Sequence, residues 1–441
     1  MRLPIVAVVG RPNVGKSTFF NRIIGSRLSI VEDTPGVTRD RIYAEGEWQG
    51  KRFALVDTGG IDPNTEDFIL SRMREQAEIA MEMADVVVFI TDGKDGLTAD
   101  DRDVADLLRR TGKKVILIVN KIDSGRDSGE LLDFYSLGMG DPIPISAANM
   151  TGLGDALDEI TDSLPEAAGD EEEDDDTIRV AVIGKPNVGK SSLINALLGE
   201  NRVIVSETAG TTRDSIDTPF EYNGARFVLI DTAGIRRRSR VNEDIERYSI
   251  VRAIGAIERS RVCLLMIDAA DGITEQDKKI AGLAHDAGKG IIIVVNKWDL
   301  IEKETGTLEE YSRKLKRELP FMSYASTLFI SVKTGQRVDR IFEMAEEVSN
   351  NCSVRISTGR LNSLMQDIVM MKEPPSVKGK RLKIYYVTQV GVRPPLFSFQ
   401  INSRKLMHFS YSRYIENRIR EHFGFEGTSI KFVFREKGEN E

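Results

Sequence analysis

Short apolar runs alternate with helix-like patterns through the first 164 residues of the chain. Runs such as Ile5–Val9 and Val86–Thr91 are almost continuously apolar, which is typical of strands buried on both faces of a parallel sheet. The predicted strands are Ile5–Val9, Ile42–Trp48, Arg52–Asp57, Val86–Thr91, Val115–Asn120 and Pro142–Ser146. Gln49-Gly50-Lys51 is a hairpin signal. We therefore expect an α/β fold with a mostly parallel sheet, one antiparallel edge and helices on both faces.

The same pattern restarts at Thr177. Its motifs recur at a nearly constant offset of 174 to 176 residues, which indicates a tandem pair of globular domains rather than a solenoid. Between the copies, Pro165–Thr177 carries eight acidic residues and no aromatic residue. Such a stretch is typical of a flexible linker, and an acidic tract that docks on a basic partner in place of nucleic acid is the alternative.

A different pattern follows residue 351. It predicts helix Ser357–Met371, strands Arg381–Val390 and Leu396–Ile401, helix Ser410–Phe423 and strand Ser429–Phe434. This segment has 16 Lys and Arg against eight Asp and Glu, although the whole chain has a net charge of −8. A small basic α+β unit is a candidate RNA-contacting module, and a solvated surface that docks on an acidic neighbouring domain is the alternative. The predicted domains are 1–164, an acidic linker 165–176, 177–351 and 352–441.

Composition narrows the class of protein. No apolar run approaches the ~18 residues that span a bilayer, so we expect no membrane segment. Two cysteines, Cys263 and Cys352, fit a reducing cytoplasm rather than a disulfide framework. The three histidines lack the spacing of metal ligands.

The chemistry begins with a glycine-rich loop between the first strand and the first helix. Its sequence is Gly10-Arg11-Pro12-Asn13-Val14-Gly15-Lys16-Ser17, and it recurs as Gly184-Lys185-Pro186-Asn187-Val188-Gly189-Lys190-Ser191. The spacing is that of a phosphate-binding P-loop. Backbone N–H groups form an anion nest, the lysine reaches the β- and γ-phosphates, and the serine hydroxyl binds Mg²⁺. Two such loops in one chain indicate two nucleotide sites.

An Asn-Lys-x-Asp motif in each domain indicates that the nucleotide is GTP. Asp123 can accept hydrogen bonds from guanine N1–H and from its 2-amino group, and adenine offers neither donor. Discrimination on the order of 10⁴ follows when a buried polar group is left unpaired. The stem of Lys121 is expected to cover one face of the base. Asn296, Lys297, Asp299, Ser331 and Val332 take the same parts in the second domain.

The D-x-x-G motifs complete each site. Asp57 and Asp231 are expected to hold Mg²⁺, and Gly60 and Gly234 to donate an N–H to the γ-phosphate. Ile61 follows the first motif and Ile235 the second, where Ras-like enzymes have a glutamine that orients water. Intrinsic hydrolysis should therefore be slow, or the missing charge must come from elsewhere.

The predicted residues form two matching sets. In the first domain the GTP-binding residues are Gly10, Arg11, Pro12, Asn13, Val14, Gly15, Lys16, Ser17, Asp57, Thr58, Gly59, Gly60, Ile61, Asn120, Lys121, Ile122, Asp123, Ser146 and Ala147. In the second domain they are Gly184, Lys185, Pro186, Asn187, Val188, Gly189, Lys190, Ser191, Asp231, Thr232, Ala233, Gly234, Ile235, Asn296, Lys297, Trp298, Asp299, Ser331 and Val332. The predicted Mg²⁺ ligands are Ser17, Thr38, Asp57, Ser191, Thr212 and Asp231. The predicted catalytic residues are Lys16, Thr38, Gly60, Lys190, Thr212 and Gly234.

With these motifs doubled and a basic αββαβ unit behind them, the chain resembles the Der (EngA) family of bacterial GTPases over essentially its whole length. The resemblance implies two tandem Era-like GTPase domains, a KH-like domain, GTP hydrolysis, and a role in assembly of the large ribosomal subunit. It also implies that Asn13 and Asn187 coordinate K⁺. Expected partners are the large subunit or its precursor and rRNA, contacted by the basic C-terminal domain and Arg236–Arg240, by a protein that acts as a monomer.

Two features leave alternatives open. Arg236–Arg240 contains four arginines and is either an RNA or domain contact or a solvated loop. The tail's G-x-x-G, Gly424-Phe425-Glu426-Gly427, follows a predicted helix and carries a glutamate, so a helix C-cap with a turn explains it better than an RNA-gripping loop. The alternative function is a nucleotide-gated scaffold whose tail docks on its own G domains and whose partner is a protein.

Overall fold

The computed structural model describes residues 3–23, 43–57, 84–110, 112–123, 129–165, 176–199, 203–205, 217–230, 246–377 and 379–436. The chain forms two compact units, Met1–Asp175 with Ile250–Gly255 and Asp176–Ser249 with Ala256–Glu441. Of the helices in the described ranges, none is both long and apolar enough to cross a bilayer.

The first unit is built on a mostly parallel sheet. Its described strands are β1 (Ile5–Val9), β2 (Tyr43–Trp48), β3 (Lys51–Asp57), β4 (Val86–Asp92), β5 (Lys114–Asn120) and β6 (Ile143–Pro144). Its described α-helices are α1 (Lys16–Ile23), α2 (Ala99–Arg109) and α3 (Leu153–Ser163). The spatial order is β2-β3-β1-β4-β5-β6, and β2 is antiparallel to β3 while the other pairs are parallel. This confirms the predicted α/β sheet with one antiparallel edge.

Apolar side chains fill both faces of this sheet. Alternate residues of β1 point to opposite faces. Val6 and Val8 pack with residues of α1 and α3, and Ala7 and Val9 pack with residues of α2 and of a 3-10 helix at Gly129–Leu137. The helices therefore cover both faces. The loops that follow the parallel strands meet at one edge, which is where open α/β sheets bind ligands.

The second unit begins with a larger version of the same sheet. Its described strands are β7 (Ile178–Ile183), β8 (Val203–Val205), β9 (Thr218–Tyr222), β10 (Ala225–Ile230), β11 (Val262–Asp268), β12 (Gly290–Asn296) and β13 (Ser326–Phe329). Helices of this segment are α4 (Lys190–Leu198), α5 (Glu246–Arg259), α6 (Glu275–Asp286), α7 (Thr307–Glu318) and α8 (Arg340–Cys352). The order β13-β12-β11-β7-β10-β9-β8 repeats the first sheet and adds β8 as a second antiparallel edge strand.

The C-terminal segment has the predicted order of elements, with one correction. It comprises α9 (Thr358–Met371), β14 (Ser376–Val377), β15 (Lys380–Arg381), β16 (Ile384–Val392), β17 (Pro395–Ile401), α10 (Phe409–Phe423) and β18 (Lys431–Glu436). The predicted strand Arg381–Val390 is wrong at its start, because Arg381 pairs with Ser376 in a separate small hairpin. Strand β17 is antiparallel to β16 and parallel to β18, and both helices pack against the sheet through one apolar cluster.

The tail's G-x-x-G loop docks on the sheet of the same unit. Gly424 ends α10 with a φ of 89°, which confirms the predicted helix C-cap. The Gly427 N–H donates to the Tyr324 carbonyl over 2.8 Å, and the Ile291 N–H donates to the Gly427 carbonyl over 2.6 Å. A Cβ on Gly427 would collide with Val348. These contacts occupy the loop, so it does not have the free backbone that grips nucleic acid in KH domains.

A histidine lies in this contact between the tail and the sheet. His285 Nδ1 shares a hydrogen bond of 2.8 Å with the Tyr324 hydroxyl. Burial, together with the positive charges of Lys431 and Arg420, lowers the pKa of His285 to about 4. The folded state therefore favours the neutral imidazole, whereas the unfolded chain takes up a proton near the ordinary pKa of 6.5.

The pH dependence of stability follows from this difference in pKa. The contribution of His285 to stability is complete above about pH 6.5 and is lost as the pH falls toward 4. We expect the second unit to lose about 2 kcal/mol of unfolding free energy between pH 7 and pH 5 through this group, measured by urea denaturation. His285→Asn should flatten that loss. His422→Asn, which changes an exposed histidine of the same unit, is the control and should leave the loss intact.

Candidate functional site

Both P-loops lie where a parallel strand ends and a helix begins. The first connects β1 to α1, and the second connects β7 to α4. Gly15 and Gly189 have φ values of 96° and 101°, in the left-handed region that favours glycine. A Cβ at either position would also collide with the amide of Asn120 or Asn296. The glycines therefore let the phosphate loop approach the base-binding loop.

The P-loop lysine is fixed inside its own loop. Lys16 is 5% exposed, and its Nζ donates to the carbonyls of Gly10 and Arg11, each over 2.7 Å. Burial lowers the pKa of Lys16 to about 8, although the nearby Asp57 carboxylate acts in the opposite direction. A desolvated ammonium on a ring of N–H groups is a strong site for an anion, because phosphate oxygens restore the hydration that burial removed.

The second P-loop has the same geometry. Lys190 Nζ donates to the Gly184 carbonyl over 2.7 Å and to the Lys185 carbonyl over 2.6 Å. The two copies differ in sequence at the second loop position, yet they place the lysine identically. The backbone of the loop, rather than any one neighbouring side chain, thus determines the position of the cation.

The asparagines of the two Asn-Lys-x-Asp motifs join the loops of each site. Asn120 Nδ2 donates to the Val14 carbonyl over 2.8 Å, and its Oδ1 accepts from the Ala147 N–H over 3.0 Å. Asn296 makes the same two bonds, over 2.8 Å to Val188 and 3.1 Å from Val332. One side chain thereby connects the phosphate loop, the base loop and the loop that carries the serine.

The carboxylates predicted to read the base are exposed and ionised. Hydrogen bonds from Ser146 and Asn149 lower the pKa of Asp123, and a hydrogen bond from Ser331 lowers the pKa of Asp299. Asn149 donates to Asp123 over 3.0 Å and Lys94 Nζ lies 3.6 Å from it. A carboxylate that stays charged can only accept hydrogen bonds, which matches the paired donors of guanine. Sequence reasoning did not identify Asn149 or Lys94.

Other predicted positions lie in the protein interior. The side chains of Val14, Val188, Ile122 and Trp298 are all nearly or fully buried. Trp298 packs against Tyr311 and Phe329 with ring centroids 5.4 and 4.5 Å away. These side chains anchor the loops in the core, so any contact with a ligand at these positions belongs to the backbone.

Two carboxylates in the interior were not predicted. Lys121 forms an ion pair with Asp92, and Lys297 Nζ lies 2.5 Å from Asp268. Asp92 ends β4 and Asp268 ends β11. The signal that could have identified them is the recurrence of D-x-x-D-G, at Asp92–Gly96 and again 176 residues later at Asp268–Gly272.

The first site has the donor set of a hydrated magnesium ion that is shared with phosphates. Ser17 Oγ donates to Asp57 Oδ2 over 3.2 Å, which places a hydroxyl and a buried carboxylate side by side next to Lys16. Mg²⁺ prefers oxygen ligands and retains several waters, so two protein oxygens suffice when the phosphates supply the rest. The remaining predicted residues lie outside the described ranges: Thr38, Thr58, Gly59, Gly60, Ile61, Thr212, Asp231, Thr232, Ala233, Gly234, Ile235 and Arg236–Arg240.

Family comparisons match both halves and the tail. The model of a family described as "50S ribosome-binding GTPase" matches residues 5–121 and 179–297. A second family, described as "KH-domain-like of EngA bacterial GTPase enzymes, C-terminal", matches residues 355–435. The matched segments begin at β1 and β7 and end within the two Asn-Lys-x-Asp motifs.

Relatives match the chain from end to end. It is 60% identical over 438 residues to GTPase Der of Acetivibrio thermocellus and 59% identical over 438 residues to GTPase Der of Alkaliphilus oremlandii, covering 99% of each chain in both comparisons. Among solved structures, Era from Aquifex aeolicus bound to GDP and aluminium fluoride is 19% identical and covers 75% of this chain and 93% of its own. Its TM-score is 0.31, a similarity too low to support a conclusion about this chain.

Proposed function

Because the chain belongs to the GTPase Der family of GTP-hydrolysing switches, we propose that it uses GTP to time its attachment to the large ribosomal subunit or to a precursor of that subunit. The observation that carries the proposal is the duplicated site. Both copies place a lysine in the P-loop, an asparagine between the loops and an ionised aspartate at the rim. The proposed domains are 1–164, a linker at 165–176, 177–351 and 352–441.

The proposed chemistry assigns each group a part. Lys16 and Lys190 bind the β- and γ-phosphates, and Asp123 and Asp299 read the base. Bound Mg²⁺, held by Ser17, Thr38 and Asp57 and by Ser191, Thr212 and Asp231, neutralises charge on the phosphates. The N–H groups of Gly60 and Gly234 hold the γ-phosphate, so loss of that phosphate releases the loops that carry these glycines.

The proposed partner is supported by charge and by the description of the matching family. The tail from residue 352 onward is basic, while the rest of the chain is acidic. Phosphate contacts by Lys and Arg supply most of the non-specific affinity for RNA. Since the G-x-x-G loop is docked on Tyr324 and Ile291, rRNA would contact other surfaces of the tail, together with Arg236–Arg240. In this proposal the protein acts as a monomer in the cytoplasm.

K⁺ is proposed as the source of the charge that Ile61 and Ile235 do not supply. Asn13 and Asn187 are exposed in the two P-loops, with φ values of 65° and 63°. If each coordinates K⁺ beside the phosphates, the ion stabilises charge that develops during hydrolysis. We expect KCl to raise the rate of GTP hydrolysis about tenfold over NaCl at equal ionic strength.

The asparagine variants test the ion's site. Asn13→Ala and Asn187→Ala should each remove the KCl stimulation in their own domain. The matched controls are Asn21→Ala and Asn195→Ala, which make the same change at exposed positions of α1 and α4. Stimulation that persists in the P-loop variants, or that disappears in the controls, contradicts this assignment.

The proposed function is tested by pelleting with ribosomal subunits. The full-length protein is incubated with isolated subunits and a GTP analogue that is not hydrolysed, with GDP, or without nucleotide, over a salt series. Association with the large subunit that depends on the nucleotide and falls steeply with salt supports the proposal. Lys16→Ala and Lys190→Ala should lose that dependence. Absence of association under every nucleotide contradicts it and favours the scaffold, in which the tail serves only its own G domains.

A further inference from the structure

An acidic loop follows β4 in the first domain and β11 in the second. Its sequence is Asp92-Gly93-Lys94-Asp95-Gly96 in the first copy and Asp268-Ala269-Ala270-Asp271-Gly272 in the second. The first aspartate of each loop pairs in register with the asparagine of the adjacent motif, Asp92 with Asn120 and Asp268 with Asn296. Parallel pairing therefore places a carboxylate beside the base-reading loop in both domains.

The first aspartate of each acidic loop is buried with a lysine. Asp92 is 1% exposed and Asp268 is 4% exposed. Each pairs with the lysine of Asn-Lys-x-Asp, and each accepts a backbone N–H as well, over 3.0 Å from Lys94 and 2.9 Å from Ala270. Burial acts to raise the pKa of Asp268, but the hydrogen bonds from Lys297 and Ala270 outweigh it and lower the pKa overall. The carboxylate is thus ionised and bound to the ammonium.

The backbone of the two lysines is an independent sign of a fixed arrangement. Lys121 has a φ of 68° and Lys297 has a φ of 62°. This left-handed conformation costs a residue with a side chain roughly 1–2 kcal/mol, and such residues cluster at ligand sites. The same unfavourable conformation, with the same buried partner, occurs in both copies. The lysine therefore has a defined position before any ligand is present.

We propose that Asp92 and Asp268 are positioning residues for the guanine base. Each holds the ammonium of its lysine so that the aliphatic stem of Lys121 or Lys297 lies along one face of the base. The inference rests on the proposed function, because it assumes that these loops hold guanine. A stem that is ordered in advance loses less conformational entropy when the nucleotide binds. Without its carboxylate, the lysine would turn to solvent and the base would lose an apolar face.

The second aspartate of each acidic loop supplies a matched control. Asp95 lies 3.4 Å from Arg11, and Asp271 lies 2.9 Å from Lys185, so both pair with the second residue of a P-loop. Their side chains are 60% and 58% exposed, and ion pairs that exposed contribute little. Exchanging Asp for Asn three residues further along the same loop thus makes the same chemical change without removing a buried partner.

Release of nucleotide from one domain at a time tests the proposal. The full-length protein carries Lys190→Ala when the first domain is measured and Lys16→Ala when the second is measured. Stopped-flow fluorescence then follows the release of a ribose-labelled GDP analogue, and competition gives the affinities for GDP and inosine diphosphate. We expect Asp92→Asn and Asp268→Asn to release the analogue about tenfold faster. Asp95→Asn and Asp271→Asn should stay within about twofold of their parent proteins.

The ratio of the two affinities separates positioning from distortion of the loop. Inosine diphosphate lacks the 2-amino group that Asp123 reads, but it presents the same ring face to Lys121. Asp92→Asn should therefore weaken both ligands by the same factor and keep the preference for GDP. Release at the parent rate overturns the proposal, and so does loss of the preference for GDP, which would indicate a deformed base loop.

A double variant gives a further test. Lys121→Met keeps the stem and removes the ammonium, so Asp92→Asn should not weaken binding further in that background. Multiplying effects would overturn the positioning role. Failure of this inference differs from failure of the proposed function. Parent proteins that do not bind GDP contradict the function, whereas normal binding with unaffected Asp92→Asn and Asp268→Asn variants contradicts only the positioning role.

Discussion

Asp123→Asn is expected to lower the affinity of the first domain for GTP on the order of 100-fold or more, and Asp299→Asn to do the same in the second domain. The wild-type carboxylates are held ionised by Ser146 and Ser331, and as acceptors they match the two donors on one edge of guanine. An Asn amide turns one acceptor into a donor, which then faces the guanine amino group. Xanthine has a carbonyl oxygen at that position, so xanthosine triphosphate should gain affinity as GTP loses it.

The measurement is competition between GTP and xanthosine triphosphate against a fluorescent GDP analogue, for each domain separately. The unaltered domain of each variant is the internal control and should keep its preference for GTP. Asp103→Asn, an exposed carboxylate on α2, controls for a general effect of lost charge. Normal GTP affinity in either rim variant would show that the aspartate of that domain does not read the base.

Lys16→Ala and Lys190→Ala should have effects of similar size through the phosphates. Each removes a cation that is held within 2.7 Å of two loop carbonyls, at the point where the nucleotide charge arrives. Charge-assisted bonds in a desolvated site are among the strongest, so we expect GDP and GTP affinity of the altered domain to fall on the order of 100-fold or more, and its hydrolysis to become undetectable.

The stability of the empty domain separates lost binding from lost folding. The pKa of Lys16 is lowered to about 8 by burial, so keeping this ammonium in the folded state is unfavourable without a ligand. Lys16→Ala removes that cost, and the nucleotide-free first domain should unfold at a temperature no lower than wild type. A large drop in the unfolding temperature would mean that a structural defect explains the lost affinity.

The sequence predicted those parts of the molecule whose information is local. A P-loop is eight consecutive residues between a strand and a helix, and its two copies lie where the pattern placed them. The alternation of strand and helix likewise predicted the order and direction of the first sheet. In these cases the chemistry, the spacing and the secondary structure all depend on neighbours in the chain.

Contacts between distant segments were not predictable in the same way. The pairing of Lys121 with Asp92 depends on β4 and β5 lying side by side, and one acidic residue at the end of an apolar run looks like the end of a strand. Arg381 was assigned to the wrong strand because its apolar neighbours do not reveal that the chain first turns at Gly379. The docking of the tail on Tyr324 left no signal in the local pattern.

That docking gives strand β12 a mechanical role. At its first residues the strand is held by the tail, through Ile291 and the bridge between Gly290 and Thr428. At its last residue, Asn296 holds the second P-loop and the base loop together. Seven residues of extended chain separate these two attachments, a span of about 20 Å. Any displacement of this strand is therefore felt at both ends, so the tail and the second nucleotide pocket are joined by a single lever, and work done at one end must appear with the same sign and size at the other.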